Sequence, residues 1–211
     1  MRKVALFVSS FILLLVSLAR AQQVDIAAGG GTLLSSSPNS NVVNLQQPAE
    51  KSGTYINISG DVVGAKRHLG LELETAFRYH KGSYPSNGET YRPILTDLNV
   101  LFQPAIAQKL IPTLAGKVGI DLMGGIGIAS NRFYGLTANS CSNPVTGCVN
   151  YTSSNHFMED LGVGVHYYVW HRFPNLFVRP EIRYYHIQNN QEFHSGNVFR
   201  ASVSIGLTLH H

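Results

Sequence analysis

The stretch from Val178 to Tyr185 reads VRPEIRYY, and its apolar and polar residues alternate. Alternation with a period of two is typical of a β-strand that has one apolar face. The other face carries Arg179, Glu181 and Arg183, and a soluble β-sandwich would not bury three charges so close together. A membrane-spanning β-barrel accommodates both faces, because its outside is apolar and its interior is polar. The stretch therefore predicts one strand of such a barrel.

Seven further segments alternate in the same way, some clearly and some faintly. They are, in chain order, 24–29, 56–62, 69–79, 96–103, 117–129, 160–170 and 199–209. Each segment alone is weak evidence, but eight in succession predict an all-β chain. We expect a single up-and-down antiparallel transmembrane β-barrel of about eight strands.

The predicted connections between these strands alternate in length. They fall at 34–53, 64–67, 80–92, 104–116, 130–156, 171–175 and 188–197. Except for 104–116, the odd-numbered connections are long and the even-numbered ones are short. Outer-membrane barrels have long extracellular loops and short periplasmic turns, so this pattern predicts that both termini lie in the periplasm. The longest loops, 34–53 and 130–156, are the places where we expect an extracellular ligand to bind.

The N-terminus has the three-part layout of a secretory signal peptide. Arg2 and Lys3 precede the apolar run 4–18, and small residues then frame a cleavage site after Ala21. A single membrane anchor is the alternative, but the run is shorter than the roughly 20 residues that span a bilayer. We expect residues 1–21 to be removed, which leaves 22–211 as one barrel domain.

The charge balance of residues 22–211 excludes one class of function. The signal segment holds three of the 16 Lys and Arg and none of the 12 acids, so the remainder is nearly neutral. A nearly neutral chain lacks the excess of positive charge that is typical of nucleic-acid-binding proteins. Charged residues make up only 13% of the whole chain, whereas soluble domains contain about 25%. After the signal no apolar run is long enough for a transmembrane helix, which again favours a barrel.

The end of the chain carries a family resemblance. Residues 204–211 (SIGLTLHH) present a polar residue, Gly206 two positions later and alternating apolar residues, although the last residue is His instead of an aromatic. In this, and in its strand pattern over 22–211, the chain resembles the OmpA/OmpX-type small outer-membrane barrels. The resemblance implies a bacterial outer-membrane location, contact with lipid and lipopolysaccharide, and recognition of the last strand by the barrel-assembly machinery.

Many charged side chains are predicted to point into the barrel. They are Asp25, Asp61, Glu72, Glu74, Arg78, Asp97, Lys117, Asp121, Asp160, Arg179, Glu181, Arg183 and Arg200. The interior of an eight-stranded barrel is only wide enough to be filled by side chains, and charges there must pair. We interpret this set as a salt-bridged plug that closes the lumen. The alternative is a small pore for ions or small solutes, lined by the same residues.

Few residues suggest chemistry beyond structure. Cys141 and Cys148 have six residues between them in a polar, turn-rich segment, and in an exported chain they are able to form a loop-pinning disulfide. The histidines show no metal-site spacing, and we predict neither a metal nor a cofactor. The segment 183–189 (RYYHIQN) resembles lipid A deacylases, in which a His precedes the nucleophilic Ser by two residues. Here His186 is followed by Gln188, which has no hydroxyl group to activate.

These observations predict a non-enzymatic outer-membrane barrel that maintains envelope integrity or makes surface contacts through its extracellular loops. The alternatives are the small pore and a lipid A-modifying hydrolase, the latter disfavoured by the missing nucleophile.

Overall fold

The computed structural model describes residues 23–35, 53–64, 68–83, 90–104, 117–136, 149–170, 173–189, 193 and 195–210. The predicted signal peptide 1–21 and the predicted disulfide between Cys141 and Cys148 lie outside these residues. Most of the loop 34–53 and of the connection 104–116 lies outside them as well.

Nine strands, and no helix, are found in the part of the chain that the structure describes. They are β1 (Gln23–Ser35), β2 (Thr54–Gly64), β3 (Leu69–Arg78), β4 (Gly82–Ser83), β5 (Thr90–Phe102), β6 (Val118–Leu136), β7 (Val149–Trp170), β8 (Phe173–Ile187) and β9 (Asn197–His210). The described residues thus contain no helix that is long and apolar enough to cross a membrane. The eight long strands correspond to the eight predicted ones, and β4 is an addition too short for alternation to reveal.

The eight long strands close into an antiparallel barrel. Each pairs with its neighbours in sequence, and β3 pairs directly with β5 past the two-residue β4. The first and last strands complete the circle, with Ile26 opposite Leu207 and Leu34 opposite Phe199. This confirms the predicted fold class. We call the end where β1 leads to β2 the long-loop rim, and the end where β2 leads to β3 the short-turn rim.

Alternation along the strands separates an apolar outside from a filled inside. On β9, Phe199, Val203, Ile205, Leu207 and Leu209 are each at least half exposed, whereas Arg200, Ser202, Ser204, Gly206 and Thr208 face inward. The span from Phe199 to Leu209 rises about 34 Å along the strand, or about 25 Å across a bilayer at the usual tilt. The outside thus forms an apolar belt of the height that the hydrocarbon core of an outer membrane requires.

Gly206, the glycine of the C-terminal pattern, is required because neighbouring atoms lie too close for a larger residue. Gly206 faces the lumen, and a Cβ atom there would overlap the ring of the fully buried Phe177 and lie 2.7 Å from the backbone oxygen of Ile26. A larger residue would therefore push the aromatic ring out of its place at the short-turn rim.

The prediction of a loop over 130–156 is wrong for much of that range. β6 continues to Leu136 and β7 begins at Val149, so residues 130–136 and 149–156 form a regular ladder. β5 accompanies β6 as far as the pair Thr90 and Tyr134, and β4 pairs with the start of β5. We call this protruding sheet, residues 82–83, 90–93, 130–136 and 149–156, the rim extension.

Candidate functional site

The lumen is crossed by a complete apolar layer near the long-loop rim. Every one of the eight long strands contributes at least one buried residue to it. The layer consists of Leu33, Tyr55, Ala76, Leu95, Ala129, Met158, Tyr185, Ile187 and Val198. Because these buried side chains form one contiguous cluster to which every long strand contributes, the layer packs across the lumen at this height.

Below this layer, Arg183 on β8 is the centre of an ion-pair network. Its guanidinium pairs with Glu72 through Nη2, which also lies 3.4 Å from Glu74 Oε2. Nη1 lies 3.3 Å from Asp97 Oδ1, and Nε lies 3.3 Å from Glu181 Oε1. All five side chains are buried. The five donors of one planar guanidinium thus connect carboxylates from β3, β5 and β8 across the lumen.

Two further arginines extend the network toward both rims. Arg179 Nη1 lies 2.6 Å from Asp61 Oδ2, and its Nε lies 3.4 Å from Glu181 Oε2. Arg200 pairs with Glu74 and, at 2.6 Å, with Glu181 Oε1. Glu181 therefore contacts all three buried arginines. The network ties β2, β3, β5, β8 and β9 together at the level of the apolar belt.

The network does not include every residue that the sequence placed in it. Arg78 is only half buried at the long-loop rim, where its guanidinium lies against Gly53 and Gly82. Lys117 is exposed at the turn before β6. Asp160 is buried and belongs to the network, with its carboxylate 3.9 Å from Arg183 Nη1.

The described lumen holds many more acids than bases. Eight carboxylates are buried against three arginines and one histidine, and these groups are Asp25, Asp61, Glu72, Glu74, Asp97, Asp121, Asp160, Glu181, Arg179, Arg183, Arg200 and His166. Five carboxylates therefore have no arginine to balance them. A buried negative charge is costly unless a proton or a cation neutralises it.

Three of the buried acids, Asp25, Asp61 and Asp121, lie together toward the short-turn rim. Asp25 and Asp61 face each other directly in the β1–β2 ladder. His166 on β7 points between them, with Nε2 3.7 Å from Asp25 Oδ2. Its Nδ1 donates to the carboxylate of Asp121 on β6. One ligand atom each of Asp25, Asp61 and His166 lies within 4.8 Å of the other two. Alternation over 160–170 puts His166 on the same inward face as Asp160, but it does not join His166 to these acids, because the residues come from distant strands.

At the other end of the barrel, aromatic contacts fix the base of the rim extension. Phe193, from the connection between β8 and β9, packs on Tyr91 of β5 with ring centroids 5.1 Å apart, and both are almost fully buried. Tyr91 also contacts Phe133 of β6, at 6.0 Å. Lys81 Nζ lies 3.9 Å above the ring of Tyr134. These contacts make the base of the rim extension an ordered part of the barrel.

The segment that resembles lipid A deacylases forms a polar cluster on the outside of the barrel. His186 Nδ1 donates to Asn197 Oδ1 at 2.8 Å, and the Tyr184 hydroxyl donates to the same oxygen. Gln188 Nε2 donates to Glu159 Oε1 at 3.1 Å. The histidine is thus oriented, but the position that would supply a nucleophile carries an amide that is bonded elsewhere.

The comparisons with known proteins agree on the fold. No protein-family model matches the sequence, and a search of curated proteins finds no significant match. Among solved structures, Neisserial surface protein A is similar with a TM-score of 0.54 and 10% identity over 87% of this chain and 96% of that one. A major outer membrane protein from Thermus thermophilus gives 0.52 and 14% identity over 89% and 98%. At such identities the likeness shows a shared barrel fold.

Proposed function

We propose that this protein is a non-enzymatic barrel of the bacterial outer membrane that displays a binding surface outside the cell. The observation that carries this proposal is the rim extension, a sheet that continues beyond the apolar belt and is anchored by buried aromatic contacts. Rigidly positioned surface elements are the usual location of binding function on a closed scaffold. The similarity to small outer-membrane barrels supports the location, and the loop lengths support an orientation with both termini in the periplasm.

The edge of the rim extension supports a binding role. Among the described residues, β8 ends its pairing at Ile187, opposite Met158, so residues 149–156 of β7 pair with β6 alone. Residues 149–155 therefore have one backbone edge that no strand pairs with in the part of the chain that the structure describes. Ser153 and Asn155 are exposed on the outward face. An exposed strand edge recognises an extended peptide by adding it as a further strand.

The closed lumen supports a structural role for the interior. The apolar layer and the arginine network occupy the two levels that a solute would have to cross, and the network joins five strands of the barrel. We therefore assign the buried charges to stability and to selection of one barrel register, and not to conduction.

Site-directed labelling tests the orientation. In a Cys141→Ser, Cys148→Ser background, Asn155→Cys should react with a membrane-impermeant maleimide on intact cells, because residue 155 lies on the rim extension. Lys117→Cys, at the short-turn rim, is the matched control and should react only after the outer membrane is permeabilised. The reverse labelling pattern would contradict the proposed orientation.

Trimming the rim extension tests the binding role. Ala129 and His156 are directly paired, so residues 130–155 can be replaced by the two-residue turn Asn-Gly, which removes the edge that carries Ser153 and Asn155. Cells that display the trimmed barrel should lose adhesion to any immobilised matrix protein or polysaccharide that the full-length chain binds. The control is trimming of 36–52 to the same turn. A barrel with a trimmed rim extension that adheres as well as the full-length chain would remove the basis of the proposal.

Lipid A analysis tests the non-enzymatic part of the proposal. Mass spectrometry of lipid A from cells with and without the protein should give the same acyl pattern, because Gln188 cannot serve as a nucleophile. Loss of an acyl chain only in the presence of the protein would show that the exposed cluster around His186 is catalytic.

A further inference from the structure

We propose that the short-turn half of the lumen contains a binding site for a divalent transition-metal ion, with Asp25, Asp61 and His166 as ligands. Zinc is the ion that we take as the probe, because one imidazole and two carboxylates are ligands that zinc accepts. The three ligand atoms lie within 4.8 Å of one another, and tetrahedral zinc would bring them to separations of about 3.3 Å. Small side-chain rotations are enough for this contraction.

Each of the three side chains has one atom without a hydrogen bond, and His166 Nε2 lies 3.7 Å from Asp25 Oδ2. Asp25 Oδ1, Asp61 Oδ1 and His166 Nε2 are buried and have no hydrogen-bond partner among the described residues. The three side chains are at most 2% exposed. Buried polar atoms in native proteins nearly always have a partner, so three converging orphans on three different strands indicate a missing ligand.

The remaining atom of each aspartate is held by a neighbouring residue. Gln23 Nε2 donates to Asp25 Oδ2 at 2.6 Å, and Arg179 Nη1 donates to Asp61 Oδ2 at 2.6 Å.

The Asp121 carboxylate accepts the Nδ1 proton of His166, which leaves the lone pair on Nε2, the atom that points at the two aspartates. A carboxylate behind a histidine is the arrangement that fixes the ring and its tautomer in metal sites.

The charge of the lumen favours a cation at this place. The acids outnumber the arginines, and the one arginine near the cluster, Arg179, is shared with Glu72 and Glu181. A divalent ion would add positive charge beside Asp25 and beside Asp61, whose Oδ2 already accepts from Arg179. The cluster lies at the short-turn rim, opposite the rim extension. The metal site and the proposed binding function can therefore be tested independently.

Metal titration of the folded barrel tests the site. The chain, without a histidine tag and with His210→Ala and His211→Ala to remove a competing imidazole pair, is refolded in detergent, stripped with chelator and titrated with Zn²⁺ against a chromophoric competitor. One Zn²⁺ should bind per chain. His166→Gln and Asp61→Asn should each lower the affinity at least 100-fold. Asp121→Asn, which leaves the ligands in place, should lower it about 10- to 100-fold.

Asp160→Asn is the matched control, because it removes one buried carboxylate from the lumen at a distance from the cluster. It should bind Zn²⁺ with unchanged affinity and stoichiometry. Zinc should raise the urea midpoint of the parent chain and of this control, but not of His166→Gln. If His166→Gln does not refold, Asp25→Asn, which keeps the side-chain volume, replaces it. Binding of less than one Zn²⁺, or equal affinity in the ligand variants, would overturn the proposal and leave His166 as a bridge between Asp25 and Asp121.

Discussion

The side chain of Arg183 illustrates how much one residue contributes to this lumen. It contacts carboxylates from three strands, and no other buried arginine among the described residues can reach all of them. Arg183→Met should destabilise the barrel by about 3–5 kcal/mol, because it leaves buried acids without a partner. Urea unfolding in lipid vesicles, followed by tryptophan fluorescence, measures the change.

The matched variant for this prediction is Asp160→Asn. It removes a charge of the opposite sign from a lumen that already has too many acids, so the free energy of unfolding should stay the same or rise. A loss of stability as large as that of Arg183→Met would show that the acids are not in excess.

Gly206 allows a second prediction at the scale of one residue. Gly206→Ala should cost about 1–3 kcal/mol, since the new methyl group overlaps the Phe177 ring and meets the backbone of β1. Gly60→Ala is the control, because a Cβ atom at Gly60 has no neighbour within 4 Å. Both variants add one methyl group to a strand, so equal unfolding midpoints would contradict the close-approach explanation.

At the scale of elements, the rim extension should contribute little to the stability of the barrel. Replacing residues 135–150 by Asn-Gly should change the free energy of unfolding by less than about 1 kcal/mol, because the apolar belt and the lumen layers lie outside the deleted part. Urea titration of the refolded variant measures this. A change of several kcal/mol would mean that the tip of the rim extension packs on the barrel.

The same element marks the limit of strand prediction from the sequence. Alternation identified the eight long strands because lipid lies on one side of them and the lumen on the other. Above the belt, both faces of β6 and β7 meet polar surroundings, so residues such as Ser153, Ser154 and Asn155 show no alternation although they are paired. Apolar–polar alternation arises only where the two faces of a strand meet different environments. Where both faces meet similar environments, alternation no longer reveals the strand.

The candidate sites were predicted to different degrees for a related reason. Inward positions follow from alternation, so Glu72, Glu181 and Arg183 could be assigned to the lumen. The height of a residue along the barrel axis depends on strand tilt and register, which the sequence does not provide. His166, Asp25 and Asp61 meet because they lie at the same height in the barrel. No sequence motif therefore predicts that they come together.

For the whole molecule, the two closed levels of the lumen predict the absence of a channel. The purified barrel in a planar bilayer should give no steady conductance, since both the apolar layer and the arginine network would have to open together. A general diffusion porin in the same membrane serves as the positive control. Stable unitary current steps at a constant voltage would support the pore alternative.

The pairing of β1 with β9 has a consequence for how the molecule is made. The ladder that closes the circle joins the first strand to leave the ribosome to the last. Until the final strand arrives, one edge of the sheet has unbonded amide groups that lipid cannot solvate. Closure of the barrel must therefore wait until β9 has been synthesised, and a chain interrupted before β9 would keep these groups unbonded.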